Sequence, residues 1–174
     1  MGSASPSGKA VVTESKPSAI VVGVDGTPAA QAALTFAMRE ARLRGSALDV
    51  VTTWVGDVDS GNLSLGIPSY IARRVRAAQD IAISAALSAT AAPPVISRHV
   101  IEGVAGEELV RLSRDADYVV VGSSHKNALK RALLGSVSQY CVRHATCPVV
   151  VVPGTFTVEA SVEVRSSIVV ASAG

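Results

Sequence analysis

Short, mostly apolar runs alternate along this chain with longer stretches in which apolar residues recur every three or four positions. The first pattern is that of a strand buried on both faces; the second is that of a helix with one buried stripe. Residues 19–25 (AIVVGVD) form the first run, which stops at Gly-Thr-Pro. Thr27 ahead of Pro28 predicts a helix N-cap with proline at the first helical position. Ala30, Ala33, Leu34, Ala37, Met38 and Ala41 then fall on one face, and Gly45 closes the helix. Residues 47–53 predict the second strand.

Residues 55–68 are a Gly-, Asp- and Ser-rich loop, longer than ordinary connections. A long helix follows, with Ile71, Val75, Ala78, Ala82 and Ala85 expected on its buried stripe. Pro93-Pro94 ends it. Residues 95–101 read as a third strand, and Ser97, Arg98 and His99 make it an edge strand. Residues 106–114 predict a short helix, and residues 117–122 (DYVVVG) a central strand. After a polar, basic loop over residues 123–134, residues 136–145 predict a helix with Val137, Tyr140, Cys141, His144 and Ala145 on one face. Residues 148–153 (PVVVVP) are the fifth strand. Strict alternation of strand and helix implies right-handed crossovers, hence an α/β fold with a doubly wound parallel sheet.

Composition narrows the picture. A chain of 174 residues and 17.7 kDa is one domain's worth. Aromatic residues are 3% of it, so Val, Ala, Leu and Ile must build the core. Sixteen basic against fourteen acidic side chains give a net charge of +2, too balanced for a protein devoted to gripping a nucleic-acid backbone. No apolar run approaches the ~20 residues of a membrane helix, and residues 1–17, rich in Ser, Pro, Ala and Gly, lack the apolar stretch of a signal peptide. A flexible N-terminal tail and a cytoplasmic location are the expectations. Cys141 and Cys147, six positions apart, match neither a redox pair nor a zinc spacing, and read as small, partly buried thiols.

Ligands of an open parallel sheet bind beyond the carboxyl ends of its strands, at the point where strand order reverses. If strands one and four are neighbours there, their exits, Asp25-Gly26-Thr27 and residues 122–127, share a crevice. The next helix starts at Gly135-Ser136-Val137, where free N–H groups and the positive dipole end favour an anion. Lys126, Lys130 and Arg131 add positive charge, and a carboxylate at Asp25 can accept hydrogen bonds from a ribose or a base. The P-loop and the G-x-G-x-x-G fingerprint are both missing, which argues against a typical NTPase or nicotinamide dehydrogenase.

The segments IVVGVDGTPAA, ALDVVTTW, DADYVVVGSS and LLGSVSQYCVRHATCPVVVV resemble the universal stress protein family over residues 18–153. The resemblance implies a five-stranded sheet of order 3-2-1-4-5, homodimerisation and, in one branch of the family, ATP binding. That branch looks like G-x2-G-x9-G-[ST]. ATP or a related adenine nucleotide, with or without Mg2+, is the expected ligand, and the charge balance and short apolar runs leave no nucleic-acid or membrane partner expected. This chain keeps the spacing, with Gly122 first and Gly135-Ser136 last, but has His125 where the second glycine would stand. Two readings follow. Asn127 takes the left-handed position and His125 donates to phosphate, or His125 impairs the loop and the protein is a nucleotide-free dimeric interaction module. By the resemblance, Asp25 contacts ribose and base, the backbone of Thr53 meets the adenine edge, and Gly122, Ser123, Ser124, His125, Lys126, Gly135, Ser136 and Val137 surround ribose and phosphates.

No catalytic constellation accompanies these residues. There is no nucleophile elbow and no metal-spaced partner for His125, so a dimeric stress-response regulator with at most slow ATP hydrolysis is expected rather than an enzyme. His144 is expected to pack inward. Arg73, Arg74 and Arg76 read as a solvated helix face. Trp54 is open to two readings, a wall of an adenine pocket or core packing. The expected domain covers residues 18–154. Beyond it, Phe156, Val158, Ala160, Val162 and Val164 alternate with polar residues after a Pro153-Gly154 reversal. Residues 155–174 are accordingly expected to be a β extension, a strand or hairpin added at the fifth-strand edge or exchanged with a partner chain.

Overall fold

The computed structural model describes residues 18–56, 67–88, 92–123 and 134–156. The strands are β1 (Ala19–Gly23), β2 (Ala47–Trp54), β3 (Ile96–Glu102), β4 (Tyr118–Ser123) and β5 (Val149–Pro153). The helices are α1 (Pro28–Arg44), α2 (Ile67–Leu87), α3 (Ala105–Leu112) and α4 (Ser136–His144), with a single 3-10 turn at Ser113–Asp115. All pairings are parallel and the strand order is β3-β2-β1-β4-β5. The expected doubly wound sheet is therefore what forms.

Local chemistry sets α1. The Thr27 hydroxyl accepts from the Ala30 amide at 3.2 Å, and Gly45 ends the helix at φ 67°, a left-handed conformation that costs glycine nothing. Ala33, Leu34, Ala37, Met38 and Ala41 are fully buried against Ile20, Val22, Leu48 and Val50 on one face of the sheet. The other face packs Val21, Val51, Val119 and Val121 against Leu109 of α3 and Cys141 of α4. Each fully buried Val or Leu contributes ~1.5–3 kcal/mol, so two mainly aliphatic layers build the core, with Tyr118, Phe36 and Phe156 at the first.

The outer strand β3 carries its polar residues as expected. Arg98 Nη1 lies 3.0 Å from Asp80 Oδ1, and His99 Nε2 lies 3.1 Å from Asp49 Oδ1. Two sequence expectations are corrected. The buried stripe of α2 is Gln79, Ala82, Ile83 and Ala86, while Ala78 and Ala85 face outward. The helix is turned because Gln79, 1% exposed, reaches into the sheet: its Nε2 donates to the carbonyls of Val50 and His99 and to the Thr52 hydroxyl, each at 3.1 Å. His144 is exposed rather than packed inward, and it stacks on Tyr140 with ring centroids 4.2 Å apart. Tyr140, not His144, meets α3, where Gly106 leaves room for its ring.

Beyond β5 the expected reversal is present, with the Phe156 amide donating to the Pro153 carbonyl at 2.9 Å. The expected strand from residue 157 onward and the expected tail at residues 1–17 lie outside the described residues.

Candidate functional site

The cleft forms where the sheet changes winding direction. β1 and β4 are adjacent, yet α1 leaves β1 on one side of the sheet and α3 leaves β3 on the other. At the carboxyl ends of β1 and β4 a cleft of about 390 Å³ opens among the described residues, within the roughly 300–1,000 Å³ of small-molecule sites.

Its floor is Gly23, Val24, Val51, Val121 and Gly122. Pairing continues past β1, since the Val24 amide donates to the Val51 carbonyl at 2.8 Å. The chain then turns sharply at Gly26, φ 81°, and presents Asp25 at the rim. Asp25 Oδ1 accepts from the Thr27 amide at 3.0 Å and from the Thr27 hydroxyl at 2.7 Å. One carboxylate oxygen is thus held by its own turn, the bland role of an Asp before glycine. The other oxygen has no partner among the described residues, and Asp25 is exposed.

The opposite wall is the start of α4, where Gly135, Ser136, Val137 and Ser138 line the cleft. Gly135 occupies the N-cap position and has no side chain to cap with. The first helical bond runs from the Gln139 amide to the Gly135 carbonyl at 2.9 Å. The amides of Ser136, Val137 and Ser138 therefore have no intrahelical acceptor. The Ser138 hydroxyl is spent on the Gly135 carbonyl at 2.9 Å. A side wall of Ala105 and Leu109 from α3, with Thr53 from the end of β2, is mainly apolar. The cleft thus offers an acceptor at one rim, a row of donors at the other, and an apolar floor and side wall between them. That arrangement suits a ligand with an anionic end, a flat apolar body and hydroxyls.

Six of the residues singled out from sequence, Asp25, Thr53, Gly122, Gly135, Ser136 and Val137, line this one cleft. Ser123 ends β4 but is not among the lining residues. Ser124, His125 and Lys126, like Lys130 and Arg131, lie outside the described residues. Trp54 is not a lining residue either. Alternation along β2 puts Val51 and Thr53 toward the cleft and Trp54 on the other face, close to Gly56. Sequence reasoning did not single out Leu109 and Ala105, because they come from α3, far away in the chain. Their only signal was apolar spacing. Among the described residues no group of three His, Cys, Asp or Glu could hold a metal ion.

The cysteines sit behind this wall. Cys141 is buried and Cys147 half-buried, both as free thiols. Burial pushes the Cys141 thiol up to about 11 from its ordinary 9.0, with neighbouring Cys147 adding to the shift.

The sequence pattern described as the Universal stress protein family matches residues 18–153. Among its relatives is the Universal stress protein Rv2623 of Mycobacterium tuberculosis, 35% identical over 139 residues, a match covering 76% of this chain and 46% of that one. The chain spans about half the length of the relatives it matches in this way. Of solved structures, universal stress protein UspA from Lactobacillus plantarum superposes with a TM-score of 0.58 at 24% identity, covering 80% of this chain and 99% of that one. A universal stress protein in complex with cAMP gives a TM-score of 0.54 at 24% identity, covering 81% and 100%. At such identities the structural likeness is one of fold.

Proposed function

This chain belongs to the universal stress protein family, and we propose that it binds ATP or a related adenine nucleotide in the β1–β4 cleft and acts as a dimeric stress-response regulator. The observation that carries the reading is the pairing of opposite rims. The Asp25 carboxylate and the uncapped start of α4 at Ser136 and Val137 line one small-molecule-sized cleft. Phosphates sit at the α4 N-terminus, where N–H groups and dipole favour anions. Asp25 accepts from ribose or base, and the apolar surfaces of Val51, Leu109 and Val137 take the ring. The solved relative in complex with cAMP supports the adenine assignment by analogy of fold. The donor set fits a nucleotide, since the free backbone amides at the helix start favour phosphate.

The reading is one of binding, not turnover. Any hydrolysis is expected to be slow, because the sequence offers no nucleophile elbow and no metal-spaced partner for His125. We propose the cytoplasm as its place of action. Among the described residues no helix is long and apolar enough to cross a membrane.

Equilibrium binding of ATP, ADP, AMP and cAMP to the purified full chain tests this. Saturable binding of one of them, weakened by Asp25→Ala, is expected. No binding to the native chain, with binding gained on His125→Gly, would overturn it in favour of the nucleotide-free interaction module.

A further inference from the structure

Three residues spaced seven apart on α1, Ala29, Phe36 and Leu43, share one flank, since at 3.6 residues per turn such positions lie about 20° from each other. The chain leaving β5 covers the first two. A β-carbon on Gly154 would lie 3.4 Å from the Ala29 β-carbon. The Phe156 ring meets Phe36 edge-on, with centroids 5.7 Å apart and planes at 79°. The third residue, Leu43, is 61% exposed. Val150, at the outer edge of β5, is only partly buried against the same apolar cluster. The chain is therefore already running down this flank when it reaches Phe156, with its next apolar foothold bare.

The following sequence is in phase with that path. Val158, Ala160, Val162 and Val164 continue the alternation begun by Phe156, with Thr157, Glu159, Ser161 and Glu163 between them. Residues two apart in an extended chain share a side, so an extended continuation would turn these four the way the Phe156 ring turns. From Phe36 to Leu43 is about 10.5 Å along the helix. An extended chain covers that in about three residues, which brings Leu43 between Val158 and Ala160. We propose that residues 157–164 dock in extended form on the outer flank of α1 of their own chain, Val158 and Ala160 covering Leu43 and the exposed side of Val150.

A strand added to the β5 edge fits less well. In a two-residue hairpin closed by Pro153 and Phe156, Phe156 would share the face of Pro153. That is the face of Val149 and Val151, which pack on the second core. The Phe156 ring lies instead with the first core. The segment is tethered at Phe156 beside the open foothold, so its own chain meets the flank at far higher effective concentration than any free partner.

Amide hydrogen exchange on the full chain, native and Leu43→Glu, tests this together with disulfide trapping in a Cys147→Ser background. Leu43 is exposed, so Leu43→Glu leaves the fold intact. The expected result is slow exchange over residues 157–164 in the native chain, at least tenfold faster in Leu43→Glu. An intrachain disulfide is expected for Leu43→Cys with Val158→Cys or Ala160→Cys, but not with Glu159→Cys. Exchange as fast as that of residues 1–17 would refute docking. Protection untouched by Leu43→Glu would place the segment elsewhere, and disulfides only between chains would make the occupant a partner's segment; either result overturns the proposal.

Discussion

Gly122 and Ala29 meet backbone to backbone: a β-carbon on Gly122 would lie 2.5 Å from the carbonyl carbon of Ala29 and 2.6 Å from its oxygen. No rotamer can relieve such an overlap, because the obstacle is main chain at the first turn of α1. A glycine that the family resemblance ties to ribose and phosphates is thus also required by packing. Gly122→Ala is expected to push the end of β4 away from α1 and cost about 1–3 kcal/mol or more, as overpacking does. A urea midpoint lowered without ligand would confirm it; an unchanged midpoint would mean that the two segments can separate freely.

Asp25 holds its turn with one oxygen and offers the other to the cleft, so two substitutions separate the roles. Asp25→Asn keeps an acceptor for the Thr27 amide and hydroxyl, and should leave thermal stability nearly unchanged. Asp25→Ala loses both bonds, with a stability loss of about 1 kcal/mol. Nucleotide affinity should fall about tenfold or more in the Ala variant, the worth of a hydrogen bond to a charged group. Calorimetry on both variants reads the two effects independently.

The raised Cys141 thiol makes stability depend on alkaline pH. In the unfolded chain the thiol ionises near its ordinary 9.0, while in the folded chain it holds its proton to about 11. Between these values the native state binds more protons, so stability falls as pH rises from about 9 to about 11 and is unaffected by this group below that window. Burial also pushes the Tyr118 hydroxyl upward, with the same sign from its ordinary 10.0. Urea midpoints at pH 8, 9.5 and 10.5 should decline less steeply in Cys141→Ala than in the native chain. Thiol reagents at pH 8 should modify Cys147 well before Cys141.

Gln79 presents a sharper test of a buried polar group. Its amide nitrogen faces two carbonyls and a hydroxyl, and its Oε1 is buried without a partner among the described residues. Gln79→Glu would set an anion against those carbonyls and should cost more than about 3 kcal/mol at pH 7. The new carboxyl would have a raised pKa from burial, so the loss should shrink as pH falls through that value. Gln79→Met, matched in volume, should cost less at neutral pH and show no such recovery. Equal losses for the two variants at every pH would rule out an electrostatic cause.

Most of the architecture was legible from sequence because its signals are local. The Thr27-Pro28 start and Gly45 stop of α1, and the aliphatic runs of β1, β4 and β5, act through sterics and hydrogen bonds among residues a few positions apart. Half of the candidate cleft was legible for the same reason: Asp25-Gly26 and Gly135-Ser136 are turn and cap signals. The face that α2 buries was not, because Ala78 and Ala85 are as apolar as Ala82 and Ala86. Its rotation is set in the tertiary structure, where Ile83 enters the core and Gln79 meets the carbonyls of Val50 and His99.

By itself, then, the sequence determined which segments are strands and helices, their order, and the polar character of β3. The tertiary structure alone decided that Trp54 turns away from the cleft, that Leu109 and Ala105 wall it, that His144 faces solvent, and that Gly122 abuts Ala29. The division is physical. Backbone propensity and capping are settled between neighbours in the chain, whereas facing and close approach depend on how a twisted sheet presents residues distant in sequence to one another.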